Sequence, residues 1–236
     1  MKIANSVALV TGAGRGIGRH FAAQLVERGA AKVYAAARNP ESVDIPGVEA
    51  LRLDITDPAS IAAAAATASD VTLLVNNAGI MTDANLVTGD MAKIRLEMDT
   101  HFYGTLGVVR AFAPVLAAGG GGTIVNVLSA LSWFSYDGSN AYAAAKAAQW
   151  SLTNGIRLEL AGQGTLVTAV HLGAADTDLS AGYEGDKIDP ADVARAALDG
   201  AEAGKLEVLV DDWSAMIKAT LANDPSQFYS QLSPTA

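Results

Sequence analysis

The stretch Val7-Ala8-Leu9-Val10-Thr11-Gly12-Ala13-Gly14-Arg15-Gly16-Ile17-Gly18 decides the fold. Four apolar residues run into a glycine turn, and Phe21, Ala22, Leu25 and Val26 follow at helical spacing. The pattern reads as a buried strand, a tight turn and an amphipathic helix. Glycine at 12, 14, 16 and 18 removes every second side chain from the turn, so the backbone can approach a ligand closely. The unpaired N–H groups of the first helical turn, and the helix dipole, favour an anion there, a phosphate or pyrophosphate. On its own this turn indicates a nucleotide-binding unit and no chemistry; the alternative is a glycine-rich turn that binds nothing. A P-loop fits less well, because no Gly-Lys-Ser/Thr follows.

Strand and helix alternate through the rest of the chain. Lys32 to Ala37 reads as a second strand, and the link from Asn39-Pro40 to a third strand at 48–53 has room for one helical turn only. Asp57-Pro58 caps an alanine-rich helix ending near Ala68. Strands follow at 71–75, 123–128, 166–170 and 206–210. Long helices are expected over 90–117 and 140–160, a shorter one from Asp189-Pro190 to Gly204, and a partly helical C-terminal segment. The expectation is an α/β fold: a Rossmann-type doubly wound parallel sheet of about seven strands with helices on both faces. No linker or composition break divides residues 1–236, which predicts one domain. Its substrate pocket would come from the loop at about 178–190 and the C-terminal segment. Ligands of such sheets bind beyond the carboxyl ends of the strands. The glycine turn, Arg38, Asp54, Asn76 to Gly79, Ser129 and Gly173 all fall there.

Composition narrows the function classes. The formal net charge of −9 argues against a nucleic-acid partner. Cysteine is absent, and His20, His101 and His171 lack ligand spacing, so no metal site is expected. Met1 to Ser6 leads straight into the first strand, with no signal peptide and no membrane-length apolar run; a cytoplasmic protein is the default expectation.

Tyr142-Ala-Ala-Ala-Lys146 lies in a predicted helix, where i, i+4 spacing puts phenol and ammonium on one face. Such pairs also occur on solvated helices. Ser129, at a strand end thirteen residues earlier, gives the pair a hydroxyl to work with. A free phenol has a pKa near ~10, too high for efficient exchange at neutral pH. A lysine charge about 4 Å away at an effective dielectric of ~20 contributes up to about 4 kcal/mol, enough to lower it by a few units. Serine to hold an oxygen, tyrosine to exchange its proton and lysine to tune the tyrosine make a workable acid–base site.

Together the glycine turn from Thr11 to Gly18, Asp54, Asn76-Asn77-Ala78-Gly79, Ser129 and Tyr142-xxx-Lys146 resemble the short-chain dehydrogenase/reductases. The resemblance covers essentially the whole chain. It implies an oxidoreductase moving hydride between a nicotinamide cofactor and a carbonyl or alcohol, working as a homodimer or homotetramer. Tyr142 would be the proton donor or acceptor and Ser129 the partner of the substrate oxygen. Lys146 would bind the nicotinamide ribose and lower the tyrosine pKa. Gly12, Gly14, Arg15, Gly16, Ile17 and Gly18 would hold the pyrophosphate. Asp54 and Ile55 would contact the adenine, and Asn77, Ala78 and Gly79 would line the cofactor. Thr177, after Gly173, would hold the carboxamide. Two residues depart from the family pattern. His101 stands where an asparagine is usual and either relays protons through water or only fills the space. Leu172 replaces the usual proline before Gly173.

At the end of the second strand, an acid would bind a ribose 2′-hydroxyl; Ala37 stands there instead, followed by Arg38. With Arg15 nearby, this favours NADP(H) over NAD(H). Met81, Leu131, Trp133, Phe134, Leu172 and Tyr183 are candidates for an apolar, partly aromatic substrate pocket suited to a small or medium ketone, aldehyde or alcohol. Two alternatives remain: an NADPH-binding sensor without turnover, and an isomerase or dehydratase on the same fold.

Overall fold

A computed structural model of the chain describes residues 2–232. Its sheet has seven parallel strands: β1 (Val7–Thr11), β2 (Lys32–Ala37), β3 (Glu49–Arg52), β4 (Leu73–Asn76), β5 (Gly122–Val127), β6 (Thr165–His171) and β7 (Glu207–Leu209). Their spatial order is β3-β2-β1-β4-β5-β6-β7. The order reverses between β1 and β4, where sheets of this type open a crevice for ligands. The predicted doubly wound parallel sheet is therefore what the chain forms.

Strand residues alternate between two cores, as a period of two requires. Ala8, Val10, Val33, Ala35, Val75 and Val125 face one side, covered by α1 (Gly16–Glu27) and α6 (Pro190–Glu202). Leu9, Tyr34, Leu74 and Ile124 face the other, covered by α2 (Pro58–Thr67), α4 (Thr105–Ala118) and α5 (Asn140–Leu160). Phe21 on the first side and Phe112 on the second are fully buried, each stabilising the fold by roughly 1.5–3 kcal/mol. The short link between β2 and β3 carries only a single turn, Pro40–Ser42, as its length predicts.

The predicted caps form. Asp57 accepts from the Ala59 N–H at 2.9 Å, and Asp189 accepts from the Ala191 N–H at 2.8 Å. The long helix expected over 90–117 departs from expectation. It divides into α3 (Met91–Met98), a π-helical segment (Asp99–Gly104) and α4. Apolar periodicity does not register this break, since a π turn inserts a residue without ending the helix. His101 lies in this segment. After β7, α7 (Asp212–Thr220) and α8 (Pro225–Leu232) make up the helical C-terminal region.

Candidate active site

The glycine turn shows why small residues are needed. Gly12 has φ +67°, and a Cβ there would stand 2.9 Å from Ala78 Cα. A Cβ at Gly18 would collide with the Gly12 carbonyl oxygen. Helix α1 therefore starts hard against the end of β1. It has neither a side-chain cap nor an acid in its first turn, which leaves its N–H groups available to an anion. Thr11 and Asn77 lock the adjoining strand ends together. Thr11 Oγ1 accepts from the Asn77 and Ala78 N–H groups, each at 3.0 Å, and Asn77 Nδ2 donates to the Thr11 carbonyl at 3.0 Å.

Asp54 Oδ1 accepts from the Thr56 N–H at 2.9 Å and from the Thr56 hydroxyl at 2.7 Å. These bonds hold its carboxyl below the usual range, with Arg38 and Arg52 adding to the effect. Arg38 is exposed past the end of β2. Arg15 Nη1 pairs with Asp178 Oδ2 at 2.9 Å across the mouth of the crevice, both side chains largely in solvent. Such a pair is worth about 0–1 kcal/mol, so it gives way easily to a stronger anion. Thr177 is half-buried at that mouth, its side chain the nearest neighbour of a Cβ placed on Gly16.

Ser129, Tyr142, Lys146 and His101 come together and are buried. Ser129 follows β5 and caps a short turn, its Oγ accepting from the Leu131 N–H at 3.1 Å. That bond uses the oxygen and leaves the hydroxyl hydrogen free to donate. Lys146 Nζ donates to the Val127 carbonyl at 3.0 Å and to Gln149 Oε1 at 2.9 Å, and lies 5.6 Å from the Tyr142 ring centre. The His101 and Tyr142 rings meet edge to face, their centres 5.2 Å apart.

Burial sets the electrostatics. It lowers Lys146 to about 7, against an upward pull from Glu97. It raises the Tyr142 phenol, with Glu97 reinforcing and the Ser129 hydroxyl opposing the rise. The sequence predicts a tyrosine lowered by its lysine; in the folded chain desolvation raises it instead, and the lowering influence is the Ser129 hydroxyl. His101 is also lowered, by burial first and by Lys146 second.

The expected pocket residues divide. Met81 and Leu131 are half-buried, and Tyr183 is exposed on the 178–183 segment. Leu172 packs into the core on the α1 side. Trp133 stacks on His171 at 3.9 Å, and Phe134 packs with Ile217 and Phe228.

A family model described as short chain dehydrogenase matches residues 6–187. The chain belongs to the short-chain dehydrogenase family. An uncharacterized oxidoreductase from Staphylococcus aureus is 31% identical over an alignment of 210 positions that covers 83% of this chain and 90% of the relative. A short chain dehydrogenase from Burkholderia cenocepacia, solved in complex with NADP, is 37% identical with a TM-score of 0.95 over 100% of both chains. A 3-ketoacyl-(acyl-carrier-protein) reductase from Brucella melitensis, complexed with NADH, is 26% identical with a TM-score of 0.81, covering 89% of this chain and 98% of its own.

In this chain the surroundings of the lysine hold residues that sequence reading misses. Asn76 Nδ2 donates to Asn126 Oδ1, and Asn126 Nδ2 to Thr153 Oγ1, both at 2.9 Å. Thr153 donates to the Gln149 carbonyl at 2.7 Å, and Gln149 Nε2 to Thr105 Oγ1 at 3.0 Å. This buried chain ends on Lys146 and fixes where its amine stands. Asn126 in an apolar strand was the one visible signal. Glu97 is the other, an acid fully buried in the structure and four residues before His101.

Proposed function

We propose that this protein is an NADP(H)-dependent oxidoreductase, a carbonyl reductase or alcohol dehydrogenase, interconverting a small or medium apolar ketone or aldehyde with its alcohol. The convergence of Ser129, Tyr142 and Lys146 in one buried cluster carries the reading. When bound, the nicotinamide supplies or accepts the hydride. Ser129 donates its free hydroxyl hydrogen to the substrate oxygen. Tyr142, held protonated by its surroundings, gives its proton to that oxygen in reduction and takes one back in oxidation. Lys146, fixed by Val127 and Gln149, offers donors to the ribose hydroxyls.

The Gly12–Gly18 cradle and the uncapped start of α1 fit a pyrophosphate. Ile17 belongs to the same turn, while Asp54 and Ile55 lie where the adenine would rest. Asn77, Ala78 and Gly79 line the path to the nicotinamide, with Gly173 and Thr177 opposite. Ala37 followed by Arg38, with Arg15 beside the turn, supports a 2′-phosphate. The NADP complex of the Burkholderia relative agrees, and the NADH complex of the Brucella reductase makes this choice worth direct measurement. Met81, Leu131 and Tyr183 would contact the substrate, enclosed by the 178–190 loop. Leu96 and Tyr103 before α4 and Leu158 on α5 are exposed apolar residues suited to a homodimer or homotetramer interface. Among the described residues no helix is long and apolar enough to cross a membrane.

NADPH consumption with a panel of ketones and aldehydes tests the proposal. Turnover that disappears in Tyr142→Phe, with nucleotide binding kept, supports it. Tight NADPH binding without consumption of any carbonyl would point to a sensor. Product formation without a change in nucleotide absorbance would point to an isomerase or dehydratase.

A further inference from the structure

Aromatic residues make up only 6% of the chain, yet several of them meet in one wall beside the site. Phe134 is its centre, buried against Ile217. Its ring meets Trp213 edge to face at 6.1 Å, Phe228 edge to face at 5.3 Å, and Tyr136 at 6.4 Å with a 34° tilt. Tyr229 closes the wall from α8: its ring packs on Phe228 at 5.5 Å, and its hydroxyl accepts from the Ser135 N–H at 3.2 Å. The two ends of the wall bracket the site. At one end the Tyr136 phenol is near enough to Tyr142 to add to the rise of its pKa. At the other, Trp213 stands over Gly173, where a Cβ would lie 3.3 Å from its indole Cδ1. Tyr136 and Trp213 keep 41% and 42% of their surface uncovered. The charges beside the wall are committed elsewhere. Asp211 accepts from the Gly173 N–H at 3.1 Å and from the Ser214 N–H at 3.0 Å. Lys218 pairs with Glu207 and lies 5.0 Å from the Trp133 ring centre. Two uncovered rings flanking the acid phenol and the Gly173 strand end, beside committed charges, suit an uncharged ligand that brings a ring of its own.

We propose that the substrate is an aryl ketone or aldehyde, or the matching aryl alcohol, whose ring packs against Tyr136 and Trp213 while its oxygen meets Ser129 and Tyr142. The proposal rests on the reading of Ser129, Tyr142 and Lys146 as the acid–base site. It narrows an apolar carbonyl to one with a π face, because rings attract one another by geometry and charge distribution beyond the area they bury. Trp213 and Tyr136 are then the specificity-determining residues. They come from two segments far apart in the sequence, the loop after Ser129 and the start of α7, and Phe134 holds both in place.

Calorimetry on the protein with NADP+ bound reads the ring preference without turnover, because a ketone and an oxidised nicotinamide cannot exchange hydride. The probes are benzylacetone and its counterpart with cyclohexyl in place of phenyl. Both carry the same unconjugated methyl ketone on the same chain. The cyclohexyl compound is the more apolar of the two, so burial of area alone would favour it. Ring–ring contacts contribute a factor of about 2–10 each, so benzylacetone should bind at least ~5-fold tighter. The ratio should fall towards one in Trp213→Leu or in Tyr136→Leu. Equal binding of the two ketones by the wild-type protein, tighter binding of the cyclohexyl compound, or binding of neither would overturn the proposal, whether or not the variants fold. A preference that survives both substitutions would overturn the wall as its source. A ring preference without NADPH consumption by any carbonyl, by contrast, would leave the aryl site standing and remove only the acid–base reading.

Discussion

Lys146→Met probes the electrostatics of the site through protein stability. The amine is buried and its pKa falls from 10.5 to about 7 because burial disfavours the charge. A group lowered on folding binds fewer protons in the folded than in the unfolded chain between those two values. Stability therefore rises with pH across that window, and the cost is fully present below it. The whole gap corresponds to roughly 5 kcal/mol, of which about 2 kcal/mol is regained between pH ~7 and ~9. Methionine fills similar space and contributes no slope. It also strips the donor from the Val127 carbonyl and from Gln149 Oε1, at about 1–3 kcal/mol each. At neutral pH these effects nearly cancel, so the discriminating quantity is the change with pH. Between pH ~7 and ~9 the wild-type melting temperature should gain about 4–8 °C on that of the variant. Parallel melting temperatures over that range would refute a buried amine of lowered pKa. The variant should also reduce carbonyls at least ~100-fold more slowly.

Arg38→Asp should weaken NADPH binding at least ~10-fold, from loss of a charge-assisted bond to the 2′-phosphate, while NADH binding holds or improves in fluorescence titrations; an equal loss for both would contradict the 2′-phosphate role. Gly18→Ala forces a methyl onto the Gly12 carbonyl and should abolish nucleotide-induced thermal stabilisation; a variant that still binds NADPH would mean that the start of α1 is not held as tightly as the structure has it. Ser129→Ala should lower kcat by ~10²–10³ but cost only about 1 kcal/mol of stability, from the Leu131 N–H; unchanged kcat would remove serine from the reaction.

The sheet was legible because most of its strands are short apolar runs ending in glycine or a polar residue, β3 with Glu49 and Arg52 being the exception, and because two of the helices between strands open on Asp-Pro. The Tyr142–Lys146 pair was legible from helical spacing. Side-chain commitments made across the sequence were not. Gln149 looks like any surface residue of a long helix until Lys146 and Thr105 are seen on either side of it. Trp133 and Leu172 suggest pocket residues by their segments, and no sequence pattern shows that one stacks on His171 and the other joins the core on the α1 side. The π segment at 99–104 hides as well: it packs against α5, and no residue type marks it.

The direction of the two shifts in the site has a consequence for the chemistry. Burial raises the Tyr142 phenol and lowers the Lys146 amine, so near neutral pH the tyrosine holds its proton while the lysine stands at its midpoint. A phenol kept protonated is a ready acid, which suits carbonyl reduction without further adjustment. To act as a base it must first lose that proton, against burial and against Glu97. Proton removal is easier whenever Lys146 is charged, and the Glu97 carboxylate favours that charged form. Glu97 thus opposes the ionised tyrosine directly and assists it through the lysine. Glu97→Gln should therefore change the pH dependence of alcohol oxidation more than that of ketone reduction, because only oxidation starts from the form that Glu97 acts on in both ways. Equal displacement of the two profiles would show that Glu97 acts on the fold as a whole and not on the phenol and amine it surrounds.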